Sequence, residues 1–271
     1  MNQRKPLKEL NLLDKFLFDE AMDDPENVKT MLDIILSQNI NLKHPPQTEK
    51  EQRTSTDNRQ IRLDVYAIDE DDVIYEVEAQ KENTHNLPKR SRLYQGIIDS
   101  KLLPPGVVDF NLLNEILIVM ITPFDLFGYG LYRYTFQMRC EEVPELKLDD
   151  GATRIFLNTR GKHPELVSPE LIELLKYMEH STDEVLGACK SKRIHEMHRR
   201  ICQIKASEKT EVKYMQSWEE KILIKQEGKL EGKQELMRKL SNKFSIEQIS
   251  EILEIDILEV ENILKKSQNE P

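Results

Sequence analysis

Three acids sit on two short apolar stretches in which polar and apolar residues alternate with the period of a β-strand: Ile61-Arg-Leu-Asp64-Val-Tyr-Ala-Ile68 and Val73-Ile-Tyr-Glu76-Val-Glu78-Ala-Gln80. The acidic turn Asp69-Glu-Asp-Asp72 separates them, so they read as a hairpin. Alternation sets Leu63, Val65 and Ala67 on one side of the first strand and Arg62, Asp64 and Tyr66 on the other. On the second strand Glu76, Glu78 and Gln80 share a side, with Tyr75, Val77 and Ala79 behind. If Asp69 pairs with Val73, the same register sets Asp64 opposite Glu78, with Cβ atoms about 5 Å apart. Two carboxylates that close repel each other unless one is protonated or a cation lies between them. A hard divalent ion such as Mg²⁺ accepts such oxygens, keeps several waters and binds a substrate phosphate in its remaining positions. That arrangement suits hydrolysis of a phosphodiester. Gln80, two residues beyond Glu78, could orient the attacking water or a phosphate oxygen, whereas Lys81 points to the opposite side. On spacing alone, a solvent-facing hairpin whose acids serve solubility is the commoner reading.

The elements that must carry this hairpin follow from the periodicity of the rest of the chain. Leu12, Leu13, Phe16, Leu17 and Met22 recur at helical spacing, and a second helix is predicted from about Pro25 to Ser37, with Asp24 as its start signal. Residues 44–59, rich in Pro, Gln, Thr, Ser and charge, read as a loop. After the hairpin, Leu87–Leu103 is helical and is stopped by Pro104-Pro105-Gly106. Glu115–Thr122 is a nearly continuous apolar run that fits a strand buried on both faces, and Leu131–Met138 and Thr153–Leu157 read as further strands. Beyond Pro169 only helices are predicted. They end in two short ones whose small core would use Ile246, Ile249, Ile252, Leu253, Ile257, Leu258, Val260, Ile263 and Leu264, with Ser245 and Gln248 as a capping box.

The hairpin has the form of a D-(x)n-E-x-Q element, a variant of the PD-(D/E)XK nuclease motif in which Gln replaces Lys. The chain around it resembles the Rpn family of recombination-promoting nucleases, also described as PD-(D/E)XK nuclease family transposases. The resemblance rests on Leu12-Leu-Asp14-Lys-Phe16-Leu-Phe18, on Arg62-Leu-Asp64 through Tyr75-Glu-Val-Glu78-Ala-Gln80, on Lys89-Arg-Ser-Arg-Leu-Tyr94-Gln95, on Pro123-Phe-Asp-Leu-Phe-Gly128 and on Arg154-Ile-Phe-Leu-Asn-Thr-Arg-Gly-Lys162. It implies a restriction-endonuclease-like α/β core, a mixed sheet flanked by helices, and DNA cleavage dependent on Mg²⁺ (or Mn²⁺ or Ca²⁺). By motif match Asp64 and Glu78 would be metal ligands and Gln80 the third catalytic position. Glu76 lies off the motif but could assist, and Asp14 could add an acid from the first helix, although an ordinary exposed or N-terminal helix acid is the commoner reading. Lys89, Arg90 and Arg92 open the helix after the hairpin and could hold a phosphate there, with a solvated helix start as the equal alternative. Tyr94 and Gln95 could face the cleft, or Tyr94 could simply pack.

The expected organisation is a nuclease-like core over 1–180, a basic helical extension over 181–240 and a small acidic helical pair over 241–271, serving oligomerisation or resembling a helix-turn-helix. Charge follows these divisions. The chain of 271 residues has a formal charge of −10, yet Lys190–Leu240 has 14 Lys or Arg against 8 Glu, while Ser241–Pro271 has 3 against 7. An acidic total argues against a nucleic-acid partner, but the basic stretch and a metal at the acidic site would offset it locally. The net negative terminal pair favours self-association, a homodimer through the C-terminal helices, over DNA reading. His195 and His198 stand three apart on a predicted helix without a ligand partner at metal spacing. The three cysteines form no C-x-x-C pair, and no run approaches a membrane span, so a cytoplasmic protein is expected. The function expected from all this is a metal-dependent DNA endonuclease of mobile-element, recombination or phage-defence type. The competing expectation is a catalytically inactive descendant of that fold, acting as a DNA-binding or protein-interaction module.

Overall fold

The computed structural model describes residues 4–52 and 61–267. The chain divides into two compact units, Met1–Glu211 and Val212–Pro271. In the first, α1 (Lys15–Met22) and α2 (Pro25–Leu36) precede β1 (Gln47–Gln52), β2 (Ile61–Ile68) and β3 (Ile74–Ala79). Then come α3 (Leu87–Asp99), β4 (Ile116–Thr122), β5 (Arg133–Phe136), β6 (Ala152–Asn158), α4 (Pro169–Glu179), α5 (Asp183–Ala188) and α6 (Lys192–Lys205). The strands form one mixed sheet in the order β1-β2-β3-β4-β6-β5, with β3, β4 and β6 parallel and the other neighbours antiparallel. The apolar run of β4 lies at the centre and is buried almost throughout, as a strand covered on both faces requires.

Two helical layers cover the sheet. Ile74, Ile116, Ile118, Met120, Tyr134 and Phe156 form one cluster with Leu87, Tyr94, Ile97 and Ile98 of α3. Val77, Val119, Ile121, Ile155 and Leu157 point the other way by alternation and are equally buried. Helix α1 packs on β1 and β2 and against α2 and α6, and α2 in turn packs against α4 and α6. The Asp24 side chain caps α2 through the Glu26 N–H at 3.0 Å, with Pro25 in its first turn, as its start signal predicts.

Two sequence expectations about the sheet change. Residues 47–52 form a strand rather than part of a loop, pairing with β2 from Gln47↔Tyr66 to Gln52↔Ile61; residues 53–59 of that expected loop lie outside the described residues. Gln-Thr-Glu-Lys-Glu-Gln has no apolar side because β1 is an edge strand, where charge prevents further pairing. Strict alternation along β2 also fails at one point, since Leu63 joins the same cluster as Tyr66.

The hairpin register is the one expected. Val65↔Val77, Tyr66↔Glu76, Ala67↔Tyr75 and Ile68↔Ile74 are paired, and the next step of that ladder sets Asp64 opposite Glu78. The turn is built on Asp69. Its N–H donates to the Val73 carbonyl at 3.1 Å, one carboxylate oxygen accepts from the Asp71 and Val73 N–H groups at 3.0 and 2.9 Å, and the other accepts from the Tyr75 hydroxyl at 2.6 Å. Asp72 takes the left-handed conformation that closes the turn, φ 63°.

Helix α7 (Glu208–Ser241) begins in the last residues of the first unit and in the second leads to α8 (Ile246–Leu253) and α9 (Ile257–Ser267). Ser245 and Gln248 form the expected capping box. The core is the expected one in part: Ile249, Val260 and Ile263 are buried together with Met237, and Ile246, Leu253 and Leu264 pack against them with Leu240, whereas Ile252, Ile257 and Leu258 are exposed. Helix α7 supplies Met237 and Leu240, so the short helices need only one buried stripe each. Residues 268–271 of this unit lie outside the described residues.

Candidate active site

Glu76 and Glu78 lie on the side of β3 that α3 covers, beside Ile118 and Met120 of β4. They are therefore interior residues, not the solvent-facing acids of an open hairpin: Glu76 is 0 % exposed, Glu78 1 % and Asp64 4 %. Buried carboxylates need partners. Asp64 accepts from the ammonium of Lys15 at the start of α1, and Glu78 Oε2 accepts from the guanidinium of Arg90. Glu78 Oε1 and both oxygens of Glu76 have no hydrogen-bond partner among the described residues.

Above these acids opens a cavity of about 600 Å³. Asp64, Glu78 and Gln80 line it, and Lys15, Arg62, Lys89, Arg90 and Tyr94 add four cations and a phenol. Arg90 is held as a fork. Its Nε donates to the Tyr94 hydroxyl at 2.8 Å, one terminal nitrogen donates to Gln80 Oε1 at 2.8 Å, and the other donates to Glu78. The Gln80 amide nitrogen donates to the Glu82 carbonyl at 2.8 Å, which fixes the orientation of the amide. Lys15 also reaches Asp19, one turn along α1, at 3.2 Å.

Electrostatics follow from burial and proximity. Burial raises Glu76 well above the usual carboxylate range, the negative charges of Glu78 and Asp64 push the same way, and Arg90 opposes them only in part. Glu78 is raised by burial and by the charge of Asp64, and Arg90 opposes this both by its charge and by the hydrogen bond it donates. Burial works against the charge on Lys15, but Asp64 and Asp19 beside it more than compensate and hold its ammonium above the ordinary lysine value. Burial and the nearby Glu78 raise the Tyr94 phenol.

The remaining candidates divide between the cavity and its surroundings. Lys89 lines it at the first turn of α3, where the Asn86 side chain makes no capping bond. Arg92 is exposed and outside the cavity wall, because positions two apart on a helix do not share a face. Gln95 is also outside the wall; it accepts from Arg154 and so ties α3 to β6. Asp14 lies at the N-terminus of α1, where it accepts from the Asn11 N–H at 2.8 Å and pairs with Lys81 and Lys5 rather than with the other acids. Glu76 stays beneath the cavity.

Sequence reasoning missed Lys15, and it set Arg62 on the acid-bearing side of β2 without giving it a role. The available signal for Lys15 was its spacing of four from Asp19 on the flank of a helix whose Leu17, Phe18, Ala21 and Met22 are buried. The histidine reading also changes, since His198 meets three partners: the Tyr177 hydroxyl at 2.9 Å, Asp183 at 2.9 Å and Cys202 at 3.2 Å. Among the described residues no group of three or more His, Cys, Asp or Glu side chains is arranged to hold a metal ion, and no helix is long and apolar enough to cross a membrane. Comparison of the chain with protein-family models, with curated proteins and with solved structures gives no match.

Proposed function

We propose that the chain is a divalent-metal-dependent endodeoxyribonuclease with a restriction-endonuclease-like core, hydrolysing DNA phosphodiester bonds at the Asp64–Glu78 site. The observation that carries this reading is the meeting of two buried carboxylates in one cavity whose rim is basic. Lys89 and Arg62 on that rim suit an approaching phosphate, and so does the first turn of α3. The carboxylates below would repel the same phosphate, and that conflict is removed when a cation joins the two acids. The donor set fits: all-oxygen ligands, one carboxylate oxygen of Glu78 without a partner, and room for water suit an ion that needs only one or two carboxylates plus a phosphate. Asp64 and Glu78 would hold Mg²⁺ or Mn²⁺, which when bound polarises a phosphoryl oxygen and lowers the pKa of a bound water. Arg90 keeps Glu78 and Gln80 in place, and the Gln80 amide lies where it can orient water or a phosphate oxygen. DNA is the partner under this reading, the setting is cytoplasmic, and the exposed Ile252, Ile257 and Leu258 are the residues on which a homodimer of the C-terminal helices would close.

The test is nicking of supercoiled plasmid with Mg²⁺ or Mn²⁺. Asp64→Ala and Glu78→Gln should each lower the rate by a factor on the order of 10² to 10³. Cutting at the wild-type rate by folded Asp64→Ala protein would refute the proposal. One observation favours a second reading: Lys15 and Arg90 already neutralise Asp64 and Glu78, as they would in a catalytically idle module that binds DNA or protein. Absence of Mn²⁺ binding to the wild type in calorimetry, with DNA present, would favour that module.

A further inference from the structure

The two cations on the acids are held in different ways. Arg90 makes three bonds from a rigid fork, to Tyr94, Gln80 and Glu78. Lys15 reaches its acids on a flexible four-carbon stem, and besides Asp64 it has a second carboxylate within reach, Asp19 at 3.2 Å. Its side chain is 42 % exposed and lines the cavity together with Gln80 and Lys89. Of the two pairs, Lys15–Asp64 is the one that can open without dismantling its surroundings.

We propose that Lys15 and a divalent cation compete for Asp64, and that the displaced ammonium then takes a phosphate oxygen of the DNA, so that α1 supplies a positive charge that residue 80, a glutamine, lacks. The proposal rests on the nuclease reading above. Without metal, Lys15 keeps Asp64 neutralised in a site that would otherwise gather negative charge. With metal, the ammonium swings from Asp64 toward the cavity, with Asp19 as its alternative anchor. Metal and DNA therefore bind with positive coupling, because each takes one partner of the same ion pair.

The test is titration calorimetry with MnCl₂ alone on the wild type, Lys15→Met and Asp64→Asn, with plasmid nicking in parallel. Lys15→Met should bind Mn²⁺ about ten-fold or more tightly than the wild type, since it removes the competitor. It should nick plasmid about 100-fold more slowly at saturating Mn²⁺, since it removes the phosphate contact. A second measurement uses the intact wild type: reductive methylation of lysines, read by peptide mass spectrometry, should label Lys15 faster with Mn²⁺ than without and leave Lys29 unchanged. Loss of Mn²⁺ binding in Asp64→Asn, with binding in Lys15→Met no tighter than the wild type, would overturn the competition and leave the nuclease reading standing. So would Lys15 labelling that Mn²⁺ does not accelerate. Failure of the wild type to bind Mn²⁺, with or without DNA, would overturn both.

Discussion

Glu76 offers the sharpest test of the electrostatics beneath the cavity. Its carboxyl is fully buried, neither oxygen has a hydrogen-bond partner among the described residues, and Glu78 and Asp64 add negative charge nearby. The folded chain therefore holds a proton there that the unfolded chain releases above the ordinary glutamate value of about 4.3. A raised acid stabilises the fold fully below that pH and withdraws the stabilisation as pH climbs toward the folded value. One such proton costs about 1.4 kcal/mol of stability per pH unit within that window. Glu76→Gln keeps the shape and removes the titration. In chelator, unfolding of the first unit, Met1–Glu211, should lose less stability with rising pH in Glu76→Gln, by about 1.4 kcal/mol per unit, or roughly 3–5 °C of melting temperature for a unit of this size. Near pH 4 the two proteins should melt together, and the variant should be the more stable at neutral pH. Parallel pH–stability curves for the two proteins would show that Glu76 is ionised in the fold or is solvated by water, and the reasoning would fail.

Two further substitutions probe packing away from the site. A Cβ at Gly161 would lie 2.4 Å from the ring of the buried Tyr132, so Gly161→Ala should cost about 1–3 kcal/mol in urea unfolding, and unchanged stability would mean that the ring is free to shift. In the second unit, Ser245→Ala removes one half of the capping box and should cost about 1 kcal/mol, read as faster hydrogen exchange of the first α8 amides; exchange equal to the wild type would mean that the cap contributes nothing.

Much of the sheet was legible because a period of two is hard to disguise. Ile61–Ile68 and Ile74–Ala79 announce themselves by alternation, and Ile116–Thr122 by its unbroken apolar run. β1 was not legible, because an edge strand made of Gln, Thr, Glu and Lys carries the composition of a loop and gains its structure only from β2. The register of the hairpin could be deduced from the turn, but the depth of its acids could not: nothing local says that α3 will roof Glu76 and Glu78. Lys15 lies 49 residues from Asp64, so their pairing arises from the packing of α1 on the sheet and leaves no mark in either segment alone. His198 shows a related limit, since Cys202 is visible at helical spacing while Asp183 arrives only through the turn between α5 and α6. The exposed Ile252, Ile257 and Leu258 were assigned to a core by hydrophobicity, which cannot foresee that α7 supplies the missing partners.

The Asp69 turn, at the far end of the hairpin from the cavity, acts as a ruler. Its three accepted bonds fix how many residues lie between the strands, and because side chains alternate with every step, that count decides which acid meets which. A chain one residue longer there could still build six strands and still bury its apolar residues on β4 and β6, yet it would present Val77 where Glu78 now stands. A run of four acids that has the composition of a solvated turn, with Asp69 buried at its start, is thus among the least permissive parts of the molecule in length, and chemistry at one end of the hairpin is measured out at the other.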